Sequence, residues 1–133
     1  MNKQIFLNIA VADLPKATAF YQALGYSLHP EFTGDGAACR HQRDDLRHAR
    51  HACQVPRIHP KAVCDTTQAV EVLFNLSCES RQEVDDLVAR AVAAGGSTYD
   101  KAEDFGFMYT HSFVDPDGHG WGLFHMSAPP PNA

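Results

Sequence analysis

The feature that most constrains this chain is a repeat inside it. Leu7-Asn8-Ile9-Ala10 lies against Phe74-Asn75-Leu76-Ser77 at a constant offset of 67 residues, and each run of four leads into a helix signal that ends on glycine. An Asn in the middle of an apolar, strand-like run is unusual, and its return at the same place marks duplication rather than the general likeness of any two strand–helix units. Duplicated units of this kind bury their apolar faces by association.

Each half carries its own start and stop signals. Residues 4–11 form a short apolar run that predicts a strand. Asp13 is placed to cap a helix, with Pro15 in the first turn where a missing N–H costs nothing. Leu14, Ala17, Tyr21 and Leu24 recur at helical spacing, Gly25 ends the run, and Tyr26 to Phe32 reads as extended. In the second half, residues 70–78 predict a strand and Ser80-Arg81-Gln82-Glu83 is a capping box. Val84, Leu87, Val88, Ala91 and Val92 make one helical stripe, and Gly95-Gly96 stops it. Strands are predicted over 107–114 and 119–126, joined by the turn Asp115-Pro116-Asp117-Gly118.

Length and charge exclude some classes. At 133 residues with 44% hydrophobic content, one core is affordable, so the expectation is one domain over 1–126 (module one 1–60, module two 66–126) and a Pro-rich tail, 127–133, that frays. A net charge of −5 without a basic helical face argues against nucleic acid. No apolar run reaches the ~18 residues of a membrane helix. The short apolar start is too brief for a signal peptide, so a cytoplasmic location is expected. Cys39, Cys53, Cys64 and Cys78 form no CxxC pair and read as free thiols.

These elements resemble a known family. Val11-Ala12-Asp13-Leu14, then Phe20-Tyr21, then Leu24-Gly25-Tyr26, then DPDGHGW at 115–121, are similar to the vicinal oxygen chelate superfamily, which holds glyoxalase I, extradiol dioxygenases and bleomycin- or fosfomycin-resistance proteins. The similarity spans 4–39 and 61–126. It implies an α+β fold of two βαβββ modules forming a cupped mixed sheet around a cavity, and a homodimer. It also implies metal ligands at positions that here are Phe6, Leu73 and Gly122. None of the three has a donor atom for a hard or borderline cation, and the neighbours Asn8 and Asn75 are poor ligands alone. The expectation is therefore no metal and no cofactor, and without a cation the carbonyl-polarising chemistry of the family has no source.

Residues 40–60 depart from the pattern. The family implies two apolar strands there, whereas the sequence has five Arg, four His and two Asp with no alternation. One reading is a metal-binding insert using Cys39, His41, His48, His51, Cys53 and His59, though no recognisable zinc spacing is present. Another is a displaced reading frame. A permitted back-translation with one base dropped at Arg40 reads, in the neighbouring frame, VISETIYVMLATHAKFREFT, which is apolar and β-rich, and returning to frame near Pro60 preserves the length. That test is permissive, because freely chosen third positions become the second positions that set hydrophobicity. A third reading is a genuine polar loop or rearranged edge. As they stand, these residues are expected to be irregular, exposed, or paired through backbone only, because Arg and Asp are not buried without partners.

The pocket expected from these strands is lined by Phe6, Asn8, Leu73, Asn75, Tyr109, His111, Gly122 and Phe124. Asn8 and Asn75 offer amides to a ligand carbonyl or hydroxyl, Gly120 and Gly122 leave space, and Tyr109 and His111 are candidate proton donors. Trp121 is expected in the core and His119 in solvent. No catalytic residue is assigned, and no nucleophile elbow, phosphate loop or dinucleotide fingerprint is present. The leading expectation is a metal-free protein that binds and sequesters a small, partly apolar molecule. The alternatives are a metal-dependent lyase, isomerase or dioxygenase of the same superfamily, an acid–base enzyme using His111 and Tyr109, and a structural or regulatory dimer with a vestigial pocket.

Overall fold

The structure, a computed structural model, describes residues 5–28, 37–41, 48–53 and 60–131. The chain divides into two compact units, Met1–Cys64 and Asp65–Ala133. Each is a βαβββ unit. The first runs β1 (Ile5–Ala10), α1 (Leu14–Ala23), β2 (Ser27–Leu28), β3 (Ala37–His41) and β4 (His48–Cys53). The second runs β5 (Leu73–Ser77), α2 (Arg81–Ala93), β6 (Glu103–Asp104), β7 (Met108–Val114) and β8 (Gly120–Met126). Their sheets have the same order, β1-β4-β3-β2 and β5-β8-β7-β6, with the first strand parallel to the last and the other pairs antiparallel. The fold is α+β, as the sequence predicts.

Local chemistry sets the helix ends. The Asp13 carboxylate accepts from Lys16 N–H at 2.9 Å, and the Ser80 hydroxyl accepts from Glu83 N–H at 3.1 Å. The Glu83 carboxylate turns back to accept from the Glu79 N–H, one residue outside the capping box proper. Both helices end on glycine in the left-handed region, Gly25 at φ 98° and Gly95 at φ 103°. In each case the next residue's N–H reaches back into the last turn, Tyr26 to Tyr21 and Gly96 to Ala91.

In the first unit, Ile9, Ala17, Phe20, Tyr21, Leu24 and Tyr26 are buried, with Phe20 edge-on to Tyr21. In the second, α2 lays Val84, Val88 and Ala91 onto β7 and β8, where Phe113, Trp121 and Leu123 are each 1% exposed. Phe113 stacks on Trp121 and Phe74 packs against the other side of the indole. Burying side chains of this size contributes about 1.5–3 kcal/mol each.

Residues 40–41 and 48–53 are strand, the backbone-paired alternative among the expectations for that part of the odd stretch. β4 pairs with β1 and β3 along a regular ladder, and backbone pairing asks nothing of the side chains. Residues 29–32, 42–47 and 54–59 lie outside the described residues. The strand expected over 70–78 begins only at Leu73, and the two-residue strand β6 carries no sequence signal strong enough to predict it.

The 115–118 turn is clasped to the start of the second unit. Gly118 N–H bonds to Asp115 O at 3.0 Å, the Thr66 hydroxyl donates to Asp117 O, and a Cβ on Gly118 would collide with the Thr66 carbonyl. Gly118 has φ 90°, and Gly95 has a similar φ with open space around it. Gly95→Ala is expected to cost about 1–2 kcal/mol for its backbone conformation alone. Gly118→Ala is expected to cost more, because backbone must also move. Equal losses in urea unfolding would mean that the Thr66 clasp does not hold in solution.

Cys78 closes β5 on the helix side. Burial pushes its thiol up to about 11, with the Glu83 charge adding and the hydrogen bond to the Phe124 backbone opposing. The folded thiol therefore keeps its proton above the ordinary value of 9.0, and the unfolded one releases it first. Stability from this group is full below about pH 9 and declines as pH rises toward 11. Cys78→Ala is expected to lose part of the alkaline decline in unfolding midpoint between those limits; an unchanged slope would show that the thiol is not held protonated.

Candidate functional site

The second sheet has two faces of different character. β5 alternates strictly, with Phe74 and Leu76 half-buried and Leu73, Asn75 and Ser77 exposed. Register places Leu73 beside Gly120, Asn75 beside Gly122 and Ser77 beside Phe124, and carries the row on to Ser112 and Thr110 of β7. These residues share the face turned away from α2. Four of the eight expected pocket residues, Leu73, Asn75, Gly122 and Phe124, fall there together.

The glycines of β8 do not leave that face empty. A Cβ on Gly120 would meet the Leu73 side chain at 2.7 Å, and a Cβ on Gly122 would collide with Asn75 Oδ1. Each glycine lets a β5 side chain lie across the neighbouring strand. The outcome is a platform on which an apolar tip and a carboxamide lie side by side. Phe6 and Asn8 belong to the first unit. Asn8 is exposed on β1 in register with His51, and for Phe6 only its strand position is described.

Tyr109 and His111 do not join the platform. They alternate in phase with Phe113, which is stacked on Trp121, so they lie on the α2 face. The Tyr109 hydroxyl donates to Asp85 of α2 at 2.8 Å, and the Arg81 guanidinium sits 5.2 Å from the Tyr109 ring centre while pairing with Asp104. The hydrogen bond to Asp85 holds the phenol above its ordinary value, with burial and the carboxylate charge acting in the same sense and Arg81 opposing. Arg81 holds the Asp104 carboxyl below its usual range. His111 has both ring nitrogens buried without a hydrogen bond among the described residues, and Nε2 lies 3.6 Å from Asp100 Oδ1. Asp100 also accepts from Thr98 Oγ1 and Ser112 N–H, which pins the segment after α2 to β7.

Two further placements were not foreseen. His119 is buried at 7% exposure rather than solvated, because Asp115, itself buried, accepts from its backbone N–H at 2.9 Å and folds the turn over it. Asp100 carried no motif. A polar residue four positions after a helix-ending glycine pair was the available hint.

At Leu73 and Gly122, the second-unit positions where the resemblance implies metal ligands, the side chains have no donor atom for a cation, and the Asn75 amide lies over Gly122. Among the described residues no group of three His, Cys, Asp or Glu could hold a metal ion. Among the same residues, no helix is long and apolar enough to cross a membrane.

Residues 3–39 match the family model for the N-terminal part of bleomycin-resistance-like proteins. No curated protein matches the chain. Several solved structures share its fold. A hypothetical protein from S. aureus is 23% identical over 94% of both chains, with a TM-score of 0.77. A glyoxalase-related enzyme from Fulvimarina pelagi is 20% identical over 94% of this chain and 88% of that one, with a TM-score of 0.76. A glyoxalase/bleomycin resistance protein/dioxygenase family enzyme from Burkholderia phytofirmans is 18% identical over 91% and 96%, with a TM-score of 0.71. At these identities the likeness speaks for the fold. The paired βαβββ units thus have the fold of solved glyoxalase/bleomycin resistance/dioxygenase proteins, and residues 3–39 are similar to the N-terminal part of bleomycin-resistance-like proteins.

Proposed function

We propose that this protein binds a small, partly apolar molecule on the Leu73–Asn75–Phe124 platform and sequesters it without the metal chemistry of its superfamily. One observation carries the reading: Asn75 lies across Gly122, offering a carboxamide donor and acceptor beside apolar Leu73 and Phe124. A few placed polar groups in apolar surroundings are the usual make-up of a small-molecule site. The acid–base alternative has less support, since His111 and Tyr109 are engaged on the opposite face with Asp100 and Asp85.

The test is a fragment library screened by ¹H–¹⁵N NMR on the whole chain. Binding fragments are expected to shift Leu73, the Asn75 side-chain amide, Gly122 and Phe124. Gly122→Ala, which pushes the amide off β8, is expected to weaken those fragments about tenfold, the size of one lost hydrogen bond; Arg90→Ala on α2 leaves them unchanged. Hits that gather on the α2 face, or that ignore Gly122→Ala, would sink the proposal. So would near-stoichiometric Zn, Ni, Mn or Fe in the purified protein. The reading includes the homodimer that the family implies, and a monomer in sedimentation equilibrium would remove that part.

A further inference from the structure

We infer that residues 40–59 are translated one base out of register with the rest of the gene, and that the natural frame encodes an apolar β3–β4 pair. The two units are register copies of one another. Asn8 pairs with His51 as Asn75 pairs with Gly122, and Leu7 pairs with Arg50 as Phe74 pairs with Trp121. In the next pair along, Arg40 stands opposite Arg50 as Phe113 stands opposite Trp121. The Phe113–Trp121 pair, 1% exposed at each residue and 6.2 Å between ring centres, is the centre of the second unit's core. At the same two positions the first unit has two arginines side by side. Like charges directly opposite in a sheet are destabilising.

The change begins at Arg40, just past the stretch, residues 3–39, that is similar to the N-terminal part of bleomycin-resistance-like proteins. From Arg40 the composition turns to five Arg and four His in 21 residues, then returns to ordinary from Lys61. The neighbouring frame described above places Val at position 40 and Ala at position 50, and gives β4 the residues MLATHA. One base lost near codon 40 and one regained near codon 60 leave both flanks, and the length, intact.

Peptide mass spectrometry of the protein from its source cells decides this. After trypsin, the natural chain is expected to give a peptide that starts at Ala17 and runs uncut past position 50. Peptides ending at Arg40, Arg47 or Arg50 would overturn the inference. A stability measurement on expressed protein checks the same claim without source material. Arg40→Val with Arg50→Ala is expected to raise the unfolding midpoint by about 4 °C or more, the shift that roughly 1 kcal/mol gives in a domain of this size. An unchanged or lowered midpoint would count against a displaced frame.

Discussion

Each unit depends on one pairing: its first strand runs parallel to its last. Parallel neighbours cannot be joined by a tight turn, so the chain must cross over, and the crossover here carries a helix and two further strands. A right-handed crossover sets the helix down on one face of the sheet. That face becomes the core, with Val84, Val88 and Ala91 against Phe113, Trp121 and Leu123. In the second unit the other face carries no helix, and Leu73 and Asn75 stay exposed on it. The division between a sealed face and an available one thus follows from strand direction, before any residue is chosen for function.

Side chains then specialise the available face. In the second unit β8 carries glycine at alternate positions, and β5 answers with Leu73 and Asn75, whose tips lie across the gaps. At Gly122 the strand gives way to the Asn75 carboxamide, a neutral group with both a hydrogen-bond donor and an acceptor. On the sealed face, the Tyr109 hydroxyl is tied to Asp85 of α2, and the His111 ring lies beside Asp100 of the segment after it.

Much of the architecture was legible because it rests on local chemistry. Asp13, Ser80, Gly25 and Gly95 fix the helix ends through bonds made within a few residues, and the repeated Asn exposed the duplication. The platform was only half legible. Alternation grouped Tyr109, His111 and Phe113 correctly, but which face they occupy depends on a partner two strands away in sequence. Phe113 itself held the signal: the largest apolar residues of β7 and β8 mark the helix side, and Tyr109 and His111 share their phase. His119 was misplaced because its burial comes from the Asp115 turn folding over it, not from its strand. The side chains of β3 and β4 gave no alternation to read, so only the resemblance and the backbone-paired alternative pointed to strands there.

The grip of Thr66 on the 115–118 turn has a consequence for how the chain can rearrange. It joins the first residues of the second unit to the hairpin that enters its last strand, so the unit's beginning is tied to its interior. A pivot inside that grip would have to break it. Any exchange of whole units between copies therefore has its hinge upstream of Thr66, in the stretch that ends at Cys64, and the second unit travels through such an exchange as one closed piece.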